Sequence, residues 1–189
     1  ARLLGTHIAH AGILILLVGH VLTTTLVDRT DPSNFVTLER DVPTQHQGME
    51  LVFTGVEVLS ADEQGYGYRI GDGYVGVVIE ARDVGGSLLG TITPGMLRFD
   101  SPSGMVSARS EVDRLTGATG DTIVILDLLQ SNELLSSMIL GQTDDVSEVR
   151  VTVHHLQGSH LVWAGWLMVV TGSALASLPR RVTEPSQDE

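Results

Sequence analysis

Two long apolar runs bracket a stretch in which hydrophobic and polar residues alternate. Ile8 to Val27 and Leu161 to Leu178 carry no formal charge. At about 1.5 Å of rise per residue, either run crosses the roughly 30 Å of a bilayer's hydrocarbon. Each is apolar around its whole circumference, unlike the core helix of a globular domain, which keeps a polar stripe. The pattern predicts transmembrane helices over 8–27 and 159–178, with a short segment 1–7 before them and a polar tail 179–189 after. A secretory signal has a shorter apolar core, a basic start and a small-x-small cleavage site. Here the first run is long and ends in TTTLVDRTD, so it reads as a retained anchor. The chain starts at Ala1, which methionine trimming and origin in a longer polypeptide both explain.

Between the runs the period changes to two. MELVFTGVEVLS (49–60) alternates, and YVGVVIEARD (74–83) is rich in β-branched residues, the marks of strands. RDVGGSLLGTI places Gly-Gly between two strand-like runs, a hairpin signal. TIVILDLLQ (122–130) and VSEVRVTVHHL (146–156) read as further strands, and LLQSNELLSSMIL as a short helix or a loop resting on the membrane surface. About seven strands over 33–155 suggest a sandwich or a barrel-like fold. The fold class is therefore a membrane protein with two transmembrane α-helices flanking an all-β domain. The last strand runs almost directly into the second helix, so the domain is expected close to the bilayer, docked on a membrane partner.

Charge supplies the orientation. Residues 28–157 hold 20 Asp and Glu against 8 Arg, whereas Arg2, Arg180 and Arg181 flank the two runs on their other sides. Basic flanks stay cytoplasmic, so both termini are expected in the cytoplasm of a plasma-membrane protein, with the β-domain outside; Arg29 opposes this weakly. Trp163 and Trp166 then fall near the outer interface, where indoles anchor helices. The chain has no cysteine, so it forms no disulfide and offers no thiolate. A net charge of −12 makes nucleic acid a poor partner.

The β-domain offers little chemistry. GYGYRIGDGY (65–74) opens no helix and reads as a flexible hairpin, not a phosphate loop. His154 and His155 are adjacent, so on a strand they face opposite ways. His46 lies in a polar loop, and TDDVSE and SADEQG read as solvated acidic turns. No paired carboxylates or Ser-His-Asp arrangement stand out, and no catalytic residue is assigned.

GTHIAHAGILILLVGH (5–20) is different: it places His7, His10 and His20 in a span. At 100° per residue His7 lies about 60° from His10 on one side and His20 about 80° on the other, so all share one half of the helix. Gly5, Gly12 and Gly19 recur every seventh residue, and Gly165 and Gly172 repeat the pattern in the second span. Such stripes admit a neighbouring helix or a flat macrocycle. Ionisable groups inside a span face protein or a cavity. Axial ligation of haem iron, a hydrogen bond to another helix and a proton relay all satisfy that. His7 and His20 are about 140° apart and the second span adds only His160 at its mouth, so a self-contained dihaem module is not expected.

The chain resembles the C-terminal part of the CcmF family, the membrane subunit of the haem lyase of cytochrome c maturation. GTHIAHAGILILLVGH is similar to that family's late helix with its Ala-His-x-Gly core, here Ala9, His10, Ala11 and Gly12. LERDVPTQHQGMELVFTGVEVLSADEQGY and GGSLLGTITPGMLRFDSPSGMVSARSEVD resemble the early strands and following hairpin of its outer domain. VRVTVHHLQGSHLVWAGWLMVVTGSALASLPRR resembles its last strand, final helix and terminal arginines. The resemblance, from about Leu3 to Arg181, implies that His10 is an axial ligand to the iron of a haem b that keeps incoming haem reduced. His7 is the competing candidate and Gly12 gives close approach. The family's tryptophan-rich loop and its other haem-ligating histidines have no counterpart here. The resemblance therefore implies a split protein, not catalytic alone, in which a larger subunit carries that loop and the second ligand. A haem chaperone and an apocytochrome c are its indirect partners. The alternative is a non-catalytic membrane subunit whose β-domain docks an apocytochrome or a respiratory complex.

Overall fold

The computed structural model describes residues 2–25, 27–127, 129, 130, 134, 136, 137, 140 and 142–178. Two compact units emerge, one of 1–27 with 157–189 and one of 28–156. Most of the 128–140 segment, expected as a short helix or surface loop, lies outside the described residues, as does the tail with Arg180 and Arg181.

The first unit is a pair of helices, α1 (Arg2–Thr25) and α2 (Ser159–Ser177). Both are long and apolar enough to cross a membrane. Helix α1 begins at Arg2, not at the start of the apolar run. Hydropathy marks where charge stops, whereas the helix continues through Leu3 to His7, which include no proline, and Thr6 Oγ1 donates back to the Arg2 carbonyl at 3.1 Å. Helix α2 follows a single residue, Gly158, whose φ of 74° suits glycine because it has no Cβ to clash.

The glycine stripes are where the helices meet. Gly5 faces Gly172, Gly12 faces Gly165 and Gly19 faces Val162, an order that makes the pair antiparallel. A Cβ on Gly12 would stand 2.8 Å from the Gly165 carbonyl oxygen, and one on Gly165 would stand 2.4 Å from the Leu16 nitrogen. The obstructing atoms are backbone and cannot rotate away. Seven residues fall about 20° short of two full turns, so a seven-residue repeat keeps the seam closed only if the pair coils left-handedly. At one end Arg2 Nε donates to the Leu178 carbonyl at 2.9 Å.

The second unit holds ten strands among its described residues: β1 (Phe35–Glu39), β2 (Thr44–His46), β3 (Met49–Ser60), β4 (Gly73–Asp83), β5 (Leu88–Ile92), β6 (Gly95–Asp100), β7 (Val106–Glu111), β8 (Asp113–Thr116), β9 (Gly120–Leu126) and β10 (Glu148–Gln157). One sheet has the order β1-β10-β9-β8, the other β2-β3-β4-β6-β7 with β5 beside β4. The excess over seven comes from strands such as β1, β2 and β8, of three to five residues. Those are too short to display alternation. The Gly-Gly turn forms as expected: Gly86 takes a φ of 83°, and the Asp83 carboxylate accepts from Ser87 N at 2.8 Å.

Alternation builds one core from both sheets. Leu51 and Phe53 of β3, Val77, Ile79 and Ala81 of β4, and Ile92 of β5 pack in one cluster with Leu38, Val124, Leu126, Val149, Val151 and Val153 of the other sheet. A second cluster gathers Tyr66, Tyr74 and Leu97. The loop 65–74 is thus pinned: Tyr66 donates its hydroxyl to the Ile70 carbonyl at 3.0 Å, and the Arg69 guanidinium lies 4.2 Å over the Tyr74 ring. Burial pushes the Tyr74 phenol up to about 12, so it stays a neutral donor to the Thr93 carbonyl.

Replacing Gly12 or Gly165 by alanine raises intrinsic helix propensity by about 1 kcal/mol, yet overpacks a backbone contact at a cost of about 1–3 kcal/mol. We expect a net loss of stability in either variant, measured by unfolding in mixed detergent. Leu14→Ala, on an exposed position, serves as the near-neutral control.

Candidate functional site

The seam divides α1 into two faces. Taking Gly12 as the origin, His10 lies about 160° around the helix and His7 about 140° the other way, both opposite the seam. The outward face reads Leu3, His7, His10, Leu14, Leu17, Val21, spaced four and three in turn, and every one of these side chains is exposed. His20 stands about 80° from His10 and about 15 Å further along the axis, too far to share an iron with it. Gly12 makes its close approach to α2, so a macrocycle held by His10 would lie across the helix from it. A stripe of this kind admits a helix or a macrocycle. The helix occupies it.

His10 has a defined ring orientation. Its Nδ1 lies 2.7 Å from the Thr6 carbonyl oxygen. A carbonyl only accepts, so Nδ1 carries the proton and Nε2 keeps its lone pair. Histidines that bind metal usually donate their other ring N–H to such an acceptor, which fixes the tautomer and raises ligand basicity. His20 contributes only its carbonyl, which accepts from Thr23 Oγ1 at 3.1 Å and Thr24 Oγ1 at 2.7 Å. His160, in the first turn of α2, is exposed.

In the β-domain, His154 and His155 do face opposite ways. His155 sits on the core side, with Nδ1 3.1 Å from Thr122 Oγ1 and Nε2 3.4 Å from Thr119 Oγ1. His154 is buried, and its Nδ1 has no hydrogen-bond partner among the described residues. His46 departs from the solvated loop that its neighbours suggest. It ends β2 and is half-buried, because a tight turn at Gln47 and Gly48 returns the chain into β3. Among the described residues no group of three or more His, Asp or Glu is placed to hold a metal ion.

Two helices flanking a two-sheet domain, with an outward imidazole on the first, can be compared with known proteins. The fold is similar to part of a solved haem lyase. The structure of "Cytochrome c Heme Lyase CcmF" aligns with 93% of this chain at a TM-score of 0.58 and 15% identity. The chain spans 24% of that protein's length. At this identity the likeness is one of fold. No family model and no curated protein sequence matches the chain.

The haem lyase likeness covers both units, in agreement with the resemblance read from sequence. Thr6 is invisible to a sequence reading, since a backbone acceptor four residues before a histidine leaves no side-chain signature. The four-three spacing of the outward face is present in the sequence, but only the leucines on either side of the two histidines reveal it as a continuous row. The Thr122 and His155 pair is a contact between strands that sequence alone does not register.

Burial holds the His154 imidazole below its ordinary value of 6.5, and Arg29 adds to the effect; burial alone lowers His46. A histidine whose folded value is depressed takes up its proton more readily when unfolded. Its contribution is intact above about 6.5 and is lost as pH falls through the folded value, with a slope of at most about 1.4 kcal/mol per pH unit. Thermal unfolding followed from pH 8 to pH 5 is therefore expected to show declining stability. His154→Phe should flatten that decline, and parallel curves for the two proteins would refute the assignment.

Proposed function

We propose that this chain is a membrane module of a cytochrome c haem lyase, acting beside a larger subunit, and that His10 supplies one axial ligand of a haem b. The reading rests above all on the His10 ring, whose Nδ1–H is engaged by the Thr6 carbonyl and which stands on the exposed face of α1. Fold similarity to the solved haem lyase supports it.

His10 fits the group on chemical grounds. Neutral imidazole with a fixed tautomer is a standard haem ligand, and His10 stands on the side of α1 away from the seam. The haem, when bound, supplies a one-electron couple. This chain's part is to hold the ring in place and to shield one side with Leu3, Leu14 and Leu17. A second ligand and the tryptophan-rich loop come from the larger subunit, so the module performs no ligation alone. His7, one turn away on the same face, is the competing ligand.

Both helices lie in the plasma membrane, with the termini in the cytoplasm and the β-domain outside. The excess of 20 acids over 8 arginines in 28–157 against arginines at the flanks supports that placement. The exposed Trp163 and Trp166 in the first turns of α2 agree with an outer interface.

The test is a reduced-minus-oxidised spectrum of the chain purified from its own membrane with its accompanying subunits. A b-type band is expected in the wild type and in His7→Ala and should be lost in His10→Ala. Loss in His7→Ala alone would move the ligand to His7. No band in the wild type would sink the haem reading and favour a docking subunit.

A further inference from the structure

The core of the β-domain is open at one end, and the opening is lined differently from the rest of the surface. Strand alternation carries the inner faces past the last core residues: Met49 lies two before Leu51 on β3, Thr122 two before Val124 on β9, and His155 two after Val153 on β10. With Leu115 of β8 these side chains line a cavity of about 340 Å³, rimmed by Leu89 and Thr119. Among the described residues, none that lines it bears a carboxylate or a guanidinium. That is unusual in a domain so rich in acids, and it favours a neutral ligand.

The size and walls specify more. A dry cavity of about 150 Å³ accepts benzene, so this mouth has room for one substituted ring. Leu89 and Leu115 give apolar walls, and a methionine thioether such as Met49 makes favourable contact with aromatic rings.

The polar end is the imidazole of His155. Its bond to buried Thr122 is of ordinary length, whereas that to exposed Thr119 is 3.4 Å, at the limit of a hydrogen bond. Neutral imidazole has one N–H and one bare nitrogen. In the tautomer whose Nδ1–H donates to Thr122, Nε2 is an acceptor that Thr119 serves poorly. A phenol, with a pKa of about 10, is a far stronger acid than an alcohol and a better donor to that nitrogen.

We propose that this mouth binds a neutral phenol, its ring against Met49, Leu89 and Leu115 and its hydroxyl donating to His155 Nε2 in place of Thr119. The site is independent of the haem reading. The phenol is either a free molecule or the tyrosine of an extended peptide.

The experiment uses the full chain in nanodiscs, with free ligand set by equilibrium dialysis and the His155 ring followed by NMR. p-Cresol is expected to shift the ring resonances saturably, at least tenfold more tightly than toluene. His155→Phe should abolish that preference, and Leu89→Asp, on the exposed rim, should weaken p-cresol at least tenfold without disturbing the core. N-acetyltyrosinamide binding as well as p-cresol identifies a peptide tyrosine; its failure beside p-cresol binding identifies a free phenol. No saturable shift at about 10 mM p-cresol, a preference that survives His155→Phe, or an unchanged affinity in Leu89→Asp would each overturn the proposal.

Discussion

Backbone contact between two helices governs what the rest of the helical unit can present. Where a glycine of α1 meets a glycine of α2, backbone of the facing helix stands where a Cβ would have to be, so the two helices pack by close dispersion contact along the seam. Two such levels, at Gly5 and Gly12, together with Gly19 against Val162, fix the rotation of α1 about its own axis. That rotation decides which residues look outward. The imidazoles of His7 and His10 are not scattered through an apolar helix; they stand in one row, opposite the seam, among leucines.

Within that row the ring of His10 is prepared before any ligand arrives. The Thr6 carbonyl already accepts a helical hydrogen bond and takes a second from Nδ1, which removes the choice of tautomer. The local helix thus does for the imidazole what a carboxylate does in many metal sites. In the β-domain the same residue type serves other ends. His154 is buried without a partner for Nδ1 among the described residues, and His155 divides its two nitrogens between two threonine hydroxyls.

Period and composition make much of this legible. Apolar length announces both helices, and alternation announces β3, β4, β9 and β10, because each carries enough residues to show which side is buried. Strands of three to five residues carry no such statistics and escape a reading by period. The glycine stripes are visible as a repeat, but a repeat does not say what fills it; the answer needs the partner helix in place. His46 misleads because its polar neighbours Thr44, Gln45 and Gln47 suggest water, while the turn that comes next folds them against β3. For the histidines of α1, spacing gives the shared half of the helix, and only the position of α2 reveals that this half is outward.

The seven-residue rhythm of the seam has a further implication for how such a chain can change over time. Outward positions such as Leu14, Leu17 and Val21 tolerate exchange among apolar residues, since more than half of each lies open. The number of residues between Gly5 and Gly19 has no such freedom. One inserted or deleted residue there would turn everything beyond it by about 100°, forcing either the glycines out of the seam or the imidazoles off their row. Length, more than identity, is what this helix must conserve.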